Sequence, residues 1–244
     1  MNFVKLLTDD PTSLRNTRIA FLGGGGKTTL MQKMADELSK SYSKVLVSSL
    51  TKSASHPDEF FLSFDSTEFS EIPKYFKRHN PLFLMKSGTP QKLEGLSSDE
   101  LLSAAELSQV CLFECDGTRR KPLKAHMAHD PEVPSWTTHC FILVGVDVVD
   151  TTLNDGFVHR PKKFSELWNI KSDVILNARE IARILTSKKG YLSKLSGATK
   201  IYYFVNKADL FEQKARQLAI EINLIHNESV YYGSLHQNRF TAIQ

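Results

Sequence analysis

Four consecutive glycines followed by a lysine and two threonines constrain this chain more than any other feature. The run Gly23-Gly24-Gly25-Gly26-Lys27-Thr28-Thr29 follows a short apolar segment, residues 17–22. After it, residues 28–40 carry apolar side chains at spacings of three and four, which is typical of a helix. A strand, a glycine turn and a helix in this order open a βαβ unit.

The same run has the composition of a phosphate-binding loop. Glycines let backbone N–H groups approach phosphate oxygens, and the following helix N-terminus favours anions. We predict that Lys27 contacts the outer phosphates, that Thr28 holds Mg²⁺, and that Gly23, Gly24, Gly25, Gly26 and Thr29 complete the nucleotide site. The pattern G-x-x-x-x-G-K-[ST] would place its first glycine at Phe21, so either the loop is shorter or Gly23 takes over the turn. The alternative is a glycine-rich turn with an incidental lysine.

Further apolar runs predict the rest of the fold. Most are continuous rather than alternating, as expected for parallel strands covered on both faces. We expect a P-loop NTPase-like, mainly parallel, doubly wound α/β sheet in a single domain, residues 1–244, with a small helical insertion at about 161–197. The predicted strands are 17–22, 44–49, 81–86, 110–114, 140–146, 200–205 and 229–232, and the predicted helices are 28–40, 98–108, 177–195 and 210–223.

Composition and charge exclude several other classes of protein. The 244 residues include 31 Lys and Arg against 27 Asp and Glu, and a net charge of +4 is too small to indicate nucleic-acid binding. No apolar run approaches the roughly 18 residues of a membrane span. Three cysteines without metal-ligand spacing predict reduced thiols, so we expect a cytoplasmic protein that binds neither membrane nor nucleic acid.

A second motif, Asn206-Lys207-Ala208-Asp209, lies at the end of an apolar strand. N-K-x-D is the guanine-recognition signature of GTP-binding proteins. An aspartate there accepts hydrogen bonds from guanine N1–H and N2–H₂, whereas adenine would leave the carboxylate unpaired at a cost. We predict that Asp209 selects guanine, Asn206 braces the loop and Lys207 covers the base. The alternatives are a solvated strand-end turn, or ATP in place of GTP.

Two carboxylates end the apolar run 110–114. Glu114 and Asp116 flank Cys115, and alternation along a strand places them on one face, with Cys115 turned into packing. Acidic groups at the carboxyl end of a strand next to a phosphate loop are suited to holding Mg²⁺, directly or through water. We predict that Asp116 or Glu114 has this role, without choosing between them.

Basic residues follow directly. This basic segment contains Arg119, Arg120, Lys121 and Lys124. It either clamps a phosphate of the nucleotide, or binds a second anion, or forms a solvated loop. If it clamps the phosphate, Arg119 is a catalytic residue beside Lys27 and Asp116. The pair His159-Arg160 is ambiguous. Thr51-Lys52 lies where switch-type loops contact a γ-phosphate.

Taken in order, these segments resemble the family of selenium-dependent hydroxylase accessory proteins, the YqeC family. The matching segments are 23–29, 49–52, 114–124, 130–134, 144–147, 158–161 and 205–209. The resemblance implies a nucleotide-binding maturation factor whose client is a molybdenum hydroxylase or its cofactor. Two departures are a serine-containing run at Ser48 and Ser49 in place of a threonine-rich one, and Cys115 within the acidic motif.

Residues and resemblance together predict a Mg²⁺-dependent nucleotide-binding protein, most simply a slow GTPase. Slow turnover is expected because no residue is identifiable as the positioner of the attacking water. The alternatives are an ATP-dependent kinase of an anionic small molecule and a non-catalytic, nucleotide-gated chaperone or metallochaperone.

Overall fold

A computed structural model describes residues 2–54, 61–64, 69–89, 92–128 and 130–243. The strands in this part of the chain are β1 Thr17–Gly23, β2 Val45–Ser49, β3 Ser53–Ala54, β4 Phe61–Phe64, β5 Leu82–Thr89, β6 Lys92–Glu94, β7 Val110–Glu114, β8 Leu123–Lys124, β9 His139–Gly145, β10 Thr151–Thr152, β11 Val158–His159, β12 Ile175–Leu176, β13 Lys200–Asn206, β14 Ser229–Ser234 and β15 Arg239–Ala242. The α-helices are α1 Lys27–Leu38, α2 Ile72–Phe76, α3 Ser98–Glu106, α4 Pro161–Trp168, α5 Ala178–Leu185 and α6 Glu212–Ile225.

Eleven of the strands form one sheet in the order β15-β14-β13-β9-β1-β7-β2-β5-β6-β3, with β4 also paired to β5. The interior pairs are parallel, and β15, β6 and β3 join antiparallel at the edges. The prediction of a mainly parallel α/β sheet is therefore confirmed. Because β13, β9, β1, β7 and β2 are adjacent and parallel, their carboxyl ends meet at one edge, where ligands of such sheets bind.

Both faces of the sheet are buried, which explains the continuous apolar runs. Successive strand residues enter opposite core clusters: in β1, Ala20 and Leu22 contribute to one and Ile19 and Phe21 to the other. Helix α1 covers the second face, and α3, α5 and α6 cover the first. Cys115 packs into the first cluster, as strand alternation predicts. The three cysteines are free and buried.

The predicted helix 177–195 was wrong beyond Leu185, where α5 ends. The next residues are Thr186, Ser187, Lys188, Lys189 and Gly190, which supply no apolar periodicity, and the chain turns there. The wider segment 161–197 includes α4 and α5 but also strand β12, which pairs with β10. It packs into the first core cluster through Phe164, α5 and Tyr191.

None of the helices in the described residues is both long and apolar enough to cross a membrane.

Candidate functional site

A cleft of about 1630 Å³ opens at the edge where these parallel strands end. Its lining comes from the loops after β1, β2, β7 and β13 and from the segment around β11. The predicted phosphate residues 25–29 and the predicted guanine residues 206–209, which are more than 175 positions apart in the chain, therefore share one cavity, and Glu114 of the predicted metal residues lines it too. Lining residues from these predictions are Gly25, Gly26, Lys27, Thr28, Thr29, Glu114, Arg119, Asn206, Lys207 and Asp209.

The glycine loop begins at Gly23, the last residue of β1. Gly23 and Gly25 have φ of 86° and 77°, a region that favours glycine, and a Cβ on either would overlap the backbone of Leu143 or Gly145. The Gly24 N–H donates to the Leu143 carbonyl at 2.9 Å. Phe21 lies within the strand, stacked on Phe141. The loop is therefore shorter than the G-x-x-x-x-G-K-[ST] pattern.

Lys27, the first residue of α1, is only 4% exposed and points back toward the loop. Its ammonium donates to the Gly23 carbonyl and lies 3.0 Å from Asp116 Oδ1 and 3.5 Å from Glu114 Oε1. Burial alone would lower the pKa of Lys27, but the two carboxylates outweigh burial and raise it. Lys27 is thus a firmly charged cation at the base of the cleft.

Asp116 is fully buried and anchors the loop. Both of its oxygens lie 3.1 Å from the Gly23 N–H, which donates to them, and His126 Nε2 lies 2.8 Å from Oδ2. Burial would raise the pKa of Asp116, but Lys27, His126 and Lys124 hold it well below its usual value. Asp116 is therefore an anion fixed beneath the glycine loop, and it does not line the cleft.

Glu114 occupies a different position from Asp116, although the two share Lys27. Its side chain is 17% exposed and lines the cleft, and its Oε2 accepts a hydrogen bond from Thr28 Oγ1 at 3.1 Å. A carboxylate and a hydroxyl side by side are hard oxygen donors of the kind that Mg²⁺ prefers. These two residues fit the predicted metal, whereas Asp116 is suited to an indirect role.

The Asn206-Lys207-Ala208-Asp209 loop contacts the glycine loop directly. Asn206 Nδ2 donates to the Gly25 carbonyl at 2.7 Å, and its Oδ1 accepts the Leu235 N–H at 3.0 Å. Lys207 has φ of 70°, and its ammonium pairs with Asp147 Oδ2 at 2.5 Å. Asp209 is half-buried on the cleft wall.

A buried polar cluster lies behind the glycine loop, and no sequence motif predicts it. Lys124 is 2% exposed and contacts Asp130 Oδ1 at 2.7 Å, and Arg160 Nη1 lies 2.8 Å from Asp130 Oδ2. Tyr191 accepts the Lys124 N–H at 3.1 Å and donates to the Lys124 carbonyl at 3.3 Å. The solvated-loop alternative is therefore wrong for Lys124, whereas its contact with a phosphate or a second anion stays a prediction, because Lys124 lines the cleft. The burial of Lys124 could have been recognised only from Asp130 and Arg160 together, and these two residues are far apart in the sequence.

Asp116, His126 and Asp130 place one ligand atom each within 4.8 Å of one another. Cations of the protein already lie among them, because Lys27 pairs with Asp116 and Lys124 pairs with Asp130. His126 Nδ1 is buried without a hydrogen-bond partner in the described chain. The arrangement is therefore an ionic network in which both carboxylates already have a cation of the protein as partner, and His126 Nδ1 is its one atom without a hydrogen-bond partner among the described residues.

The remaining predicted residues lie around the cleft mouth. Arg119 and Arg120 are exposed and line it, as does Thr51, while Lys52 pairs with Glu94 at 2.6 Å. His159 also lines the cleft. Burial, together with Arg160, Lys124 and Arg119, lowers the pKa of His159 to about 4.

Fold and cleft together define a mostly parallel α/β protein with a glycine-rich loop and a buried lysine–carboxylate pair at the end of its central strand. The chain belongs to the YqeC family: the family model described as YqeC protein matches residues 19–162, more than half of the chain. A protein of Escherichia coli (strain K12), named "Uncharacterized protein YqeC", is 24% identical over 241 residues, covering 96% of this chain and 93% of the relative. No solved structure matches.

The matched segment contains the glycine loop, both carboxylates, the arginine turn and the His159-Arg160 pair. It ends before Asn206 and Asp209. The family model therefore bears on the phosphate side of the cleft, whereas the similarity to the Escherichia coli protein extends over the base side as well.

Proposed function

We propose that this protein binds a Mg²⁺–nucleotide complex in the cleft, GTP in preference to ATP, and hydrolyses it slowly. We further propose that it acts as an accessory or maturation factor for a selenium-dependent molybdenum hydroxylase. The observation that carries the nucleotide proposal is the 2.7 Å hydrogen bond from Asn206 to the Gly25 carbonyl. It ties the motif for guanine directly to the loop for phosphate.

The phosphate side is supported by the composition and shape of the loop. Gly25, Gly26, Lys27, Thr28 and Thr29 line the cleft where α1 begins, so backbone N–H groups and the helix N-terminus face the space for an anion. Phosphate oxygens would replace Glu114 and Asp116 as partners of the Lys27 ammonium. Mg²⁺ held at Thr28 and Glu114 would neutralise phosphate charge.

The base side is supported by Asp209. Its carboxylate is half-buried on the wall of the cleft, two residues beyond a Lys207 that Asp147 holds in place. A partly desolvated carboxylate discriminates well between a base that donates two hydrogen bonds and a base that donates none.

The accessory role is supported at the level of the family. The chain belongs to the YqeC family, which the sequence resemblance associates with selenium-dependent hydroxylases. The client and the step at which this protein acts belong to the proposal.

Isothermal titration of GTP and ATP with Mg²⁺ tests the proposal on wild type, Asp209→Ala and Glu132→Ala. Glu132 is a matched control because it is an exposed carboxylate on the same cleft. We expect wild type and Glu132→Ala to prefer GTP at least tenfold, about 1.4 kcal/mol, and Asp209→Ala to lose that preference. Equal affinities in wild type, or a preference for ATP, would contradict the guanine assignment.

One observation favours a second candidate, phosphoryl transfer to a small anionic acceptor. Arg119 and Arg120 are exposed at the cleft, where an acceptor would meet the γ-phosphate. Nucleotide consumption that requires an added acceptor would support a kinase, and steady hydrolysis without one would support the GTPase. Tight nucleotide binding with no more hydrolysis than Lys27→Ala would support a nucleotide-gated binding protein.

A further inference from the structure

Two guanidinium groups in the cleft have no acidic partner within the described residues. Arg119 and Arg120 are exposed at the cleft mouth, and neither forms an ion pair there. The other lysines and arginines that line the cleft do pair with carboxylates. Those pairs are Lys27–Asp116, Lys52–Glu94, Lys124–Asp130, Arg160–Asp130 and Lys207–Asp147.

The backbone at these arginines is in a conformation that their side chains disfavour. Arg119 and Arg120 have φ of 50° and 63°, in the left-handed region that costs a non-glycine residue about 1 kcal/mol or more. The non-glycine residues of the described chain that have a positive φ fall into two groups. Four are Asn or Asp, which tolerate this region, and four are cations that line the cleft, namely Arg119, Arg120, Arg160 and Lys207.

The turn that carries the two arginines is fixed against the glycine loop. The Lys121 N–H donates to the Thr118 carbonyl at 3.0 Å, and Thr118 is buried. Immediately after the turn, the carbonyl of Lys121 packs so closely on Gly24 that a Cβ there would overlap it. The turn therefore fixes the backbone of both arginines close to the glycine loop, their side chains line the same cleft, and backbone strain of this kind is concentrated at functional sites.

The cleft has room for more than a nucleotide. Its volume of about 1630 Å³ exceeds the roughly 300–1,000 Å³ of sites for single small molecules. A nucleotide that spans from the glycine loop to Asp209 extends from β1 toward β13, two strands away on one side. Arg119 and Arg120 follow β7, which adjoins β1 on the other side.

We propose that Arg119 and Arg120 bind the tetrahedral oxyanion of a second ligand, a phosphate or phosphate monoester, which occupies the cleft together with the nucleotide. Each guanidinium presents a planar fork of N–H donors, and two adjacent forks match the several oxygens of a phosphate. Burial is the main reason that the pKa of the neighbouring His159 is lowered to about 4, and Arg160, Lys124 and Arg119 add a positive field that attracts the same anion. This inference deepens the proposed function, since it adds the class of the second ligand to the nucleotide site.

The probe is inorganic phosphate, titrated at constant ionic strength against sodium chloride and followed by the melting temperature. The variants are Arg119→Gln/Arg120→Gln and, as a matched control, Arg179→Gln/Arg183→Gln, which removes two exposed arginines from α5. Each protein is titrated alone and after saturation with Mg²⁺ and a non-hydrolysable GTP analogue, which fills the γ-phosphate position. All four substitutions are at exposed side chains, so the variants are expected to fold.

We expect phosphate to stabilise wild type and the control variant in both states, and the apparent affinity to fall at least fivefold in Arg119→Gln/Arg120→Gln. A phosphate response that the GTP analogue abolishes would overturn the inference, because the arginines would then serve the nucleotide's own phosphates. A response equal in all three proteins, or equal to that of chloride, would overturn it as well. If the analogue itself fails to raise the melting temperature, the proposed nucleotide function fails, and the titration without analogue still decides the second site.

Discussion

The Lys27 ammonium lies 3.0 Å from the Asp116 carboxylate, which in turn accepts the N–H of Gly23. The lysine expected to bind phosphate is therefore also the principal counter-ion of a fully buried aspartate under the same loop. Stability and ligand binding are consequently coupled at this pair. Removing either partner leaves the other buried charge without its nearest counter-ion, which is more costly than loss of an exposed ion pair.

We predict that Lys27→Met and Asp116→Asn each lower the free energy of unfolding by about 3 kcal/mol. The loss in the double variant is expected to be smaller than the sum of the two single losses by at least about 1 kcal/mol. The double substitution removes both buried charges of this pair, and Glu114, which also loses Lys27, is partly exposed to solvent. Urea denaturation of the four proteins measures the coupling energy. Lys40→Met, at an exposed lysine just beyond α1, is expected to change stability by less than 0.5 kcal/mol. Strict additivity of the two losses would contradict the pairing.

Glu114 offers a separate test because it contacts Thr28 and is partly exposed. We predict that Glu114→Gln weakens Mg²⁺-dependent nucleotide binding about tenfold and changes stability by less than about 1 kcal/mol. Asp116→Asn is expected to weaken the same binding together with a clear loss of stability. Nucleotide titrations over a series of Mg²⁺ concentrations compare these variants with Glu132→Gln. Unchanged Mg²⁺ dependence in both Glu114→Gln and Asp116→Asn would rule out these carboxylates as the metal's neighbours.

The glycine loop predicts a contrast between two alanine substitutions. Gly25 has φ of 77°, and a Cβ there would overlap the Gly145 backbone, whereas a Cβ on Gly197 meets nothing within 4 Å. Gly25→Ala is therefore expected to lower stability by more than 1 kcal/mol and to abolish nucleotide binding, while Gly197→Ala leaves both unchanged. Thermal melts and GTP titrations measure the two effects. A Gly25→Ala protein with wild-type affinity would show that the loop does not cradle a ligand.

Much of the central sheet could be predicted from the sequence, because the physics there is local. A run such as 110–114 is apolar on both faces, and the structure gives β7 the same bounds. The apolar pattern did not predict the short strands β8, β10, β11 and β12, which have two residues each. Strands that short carry no periodicity, and their existence depends on partners elsewhere in the chain.

For the candidate site, the sequence could predict several residues that line one cleft, but it could not predict which of them are buried. Glu114 and Asp116 look equivalent in the sequence, and burial separates them: Asp116 is 0% exposed and Glu114 lines the cleft. Lys124 looked like one more basic loop residue beside Arg119 and Arg120. Its burial against Asp130 and Tyr191 depends on residues 6 and 67 positions away, which no local pattern reveals.

A buried histidine of the central sheet makes the stability of the protein depend on pH. His139 begins β9, stacks on Tyr202, and has its Nδ1 2.8 Å from Thr138 Oγ1. Burial, with a contribution from Lys200, lowers the pKa of His139 to about 4, against about 6.5 in an unfolded chain. Between pH 6.5 and 4 the unfolded state therefore binds a proton that the folded state does not bind, and stability falls as the pH is lowered through this window.

His159, whose pKa is also lowered to about 4, likewise makes the free energy of unfolding fall as the pH is lowered. Asp116 adds no pH dependence of stability above about pH 4. Its pKa is depressed in the folded state, so the stabilisation that it provides is lost only below about pH 4. We expect wild type to lose stability between pH 7 and pH 5, and His139→Gln to remove about 1 kcal/mol of that loss. Urea denaturation at pH 7, 6 and 5 measures it, with His236→Gln, at an exposed histidine, as the control. If His139→Gln retains the full wild-type slope, the proton is taken up elsewhere and His139 is not held neutral by its burial.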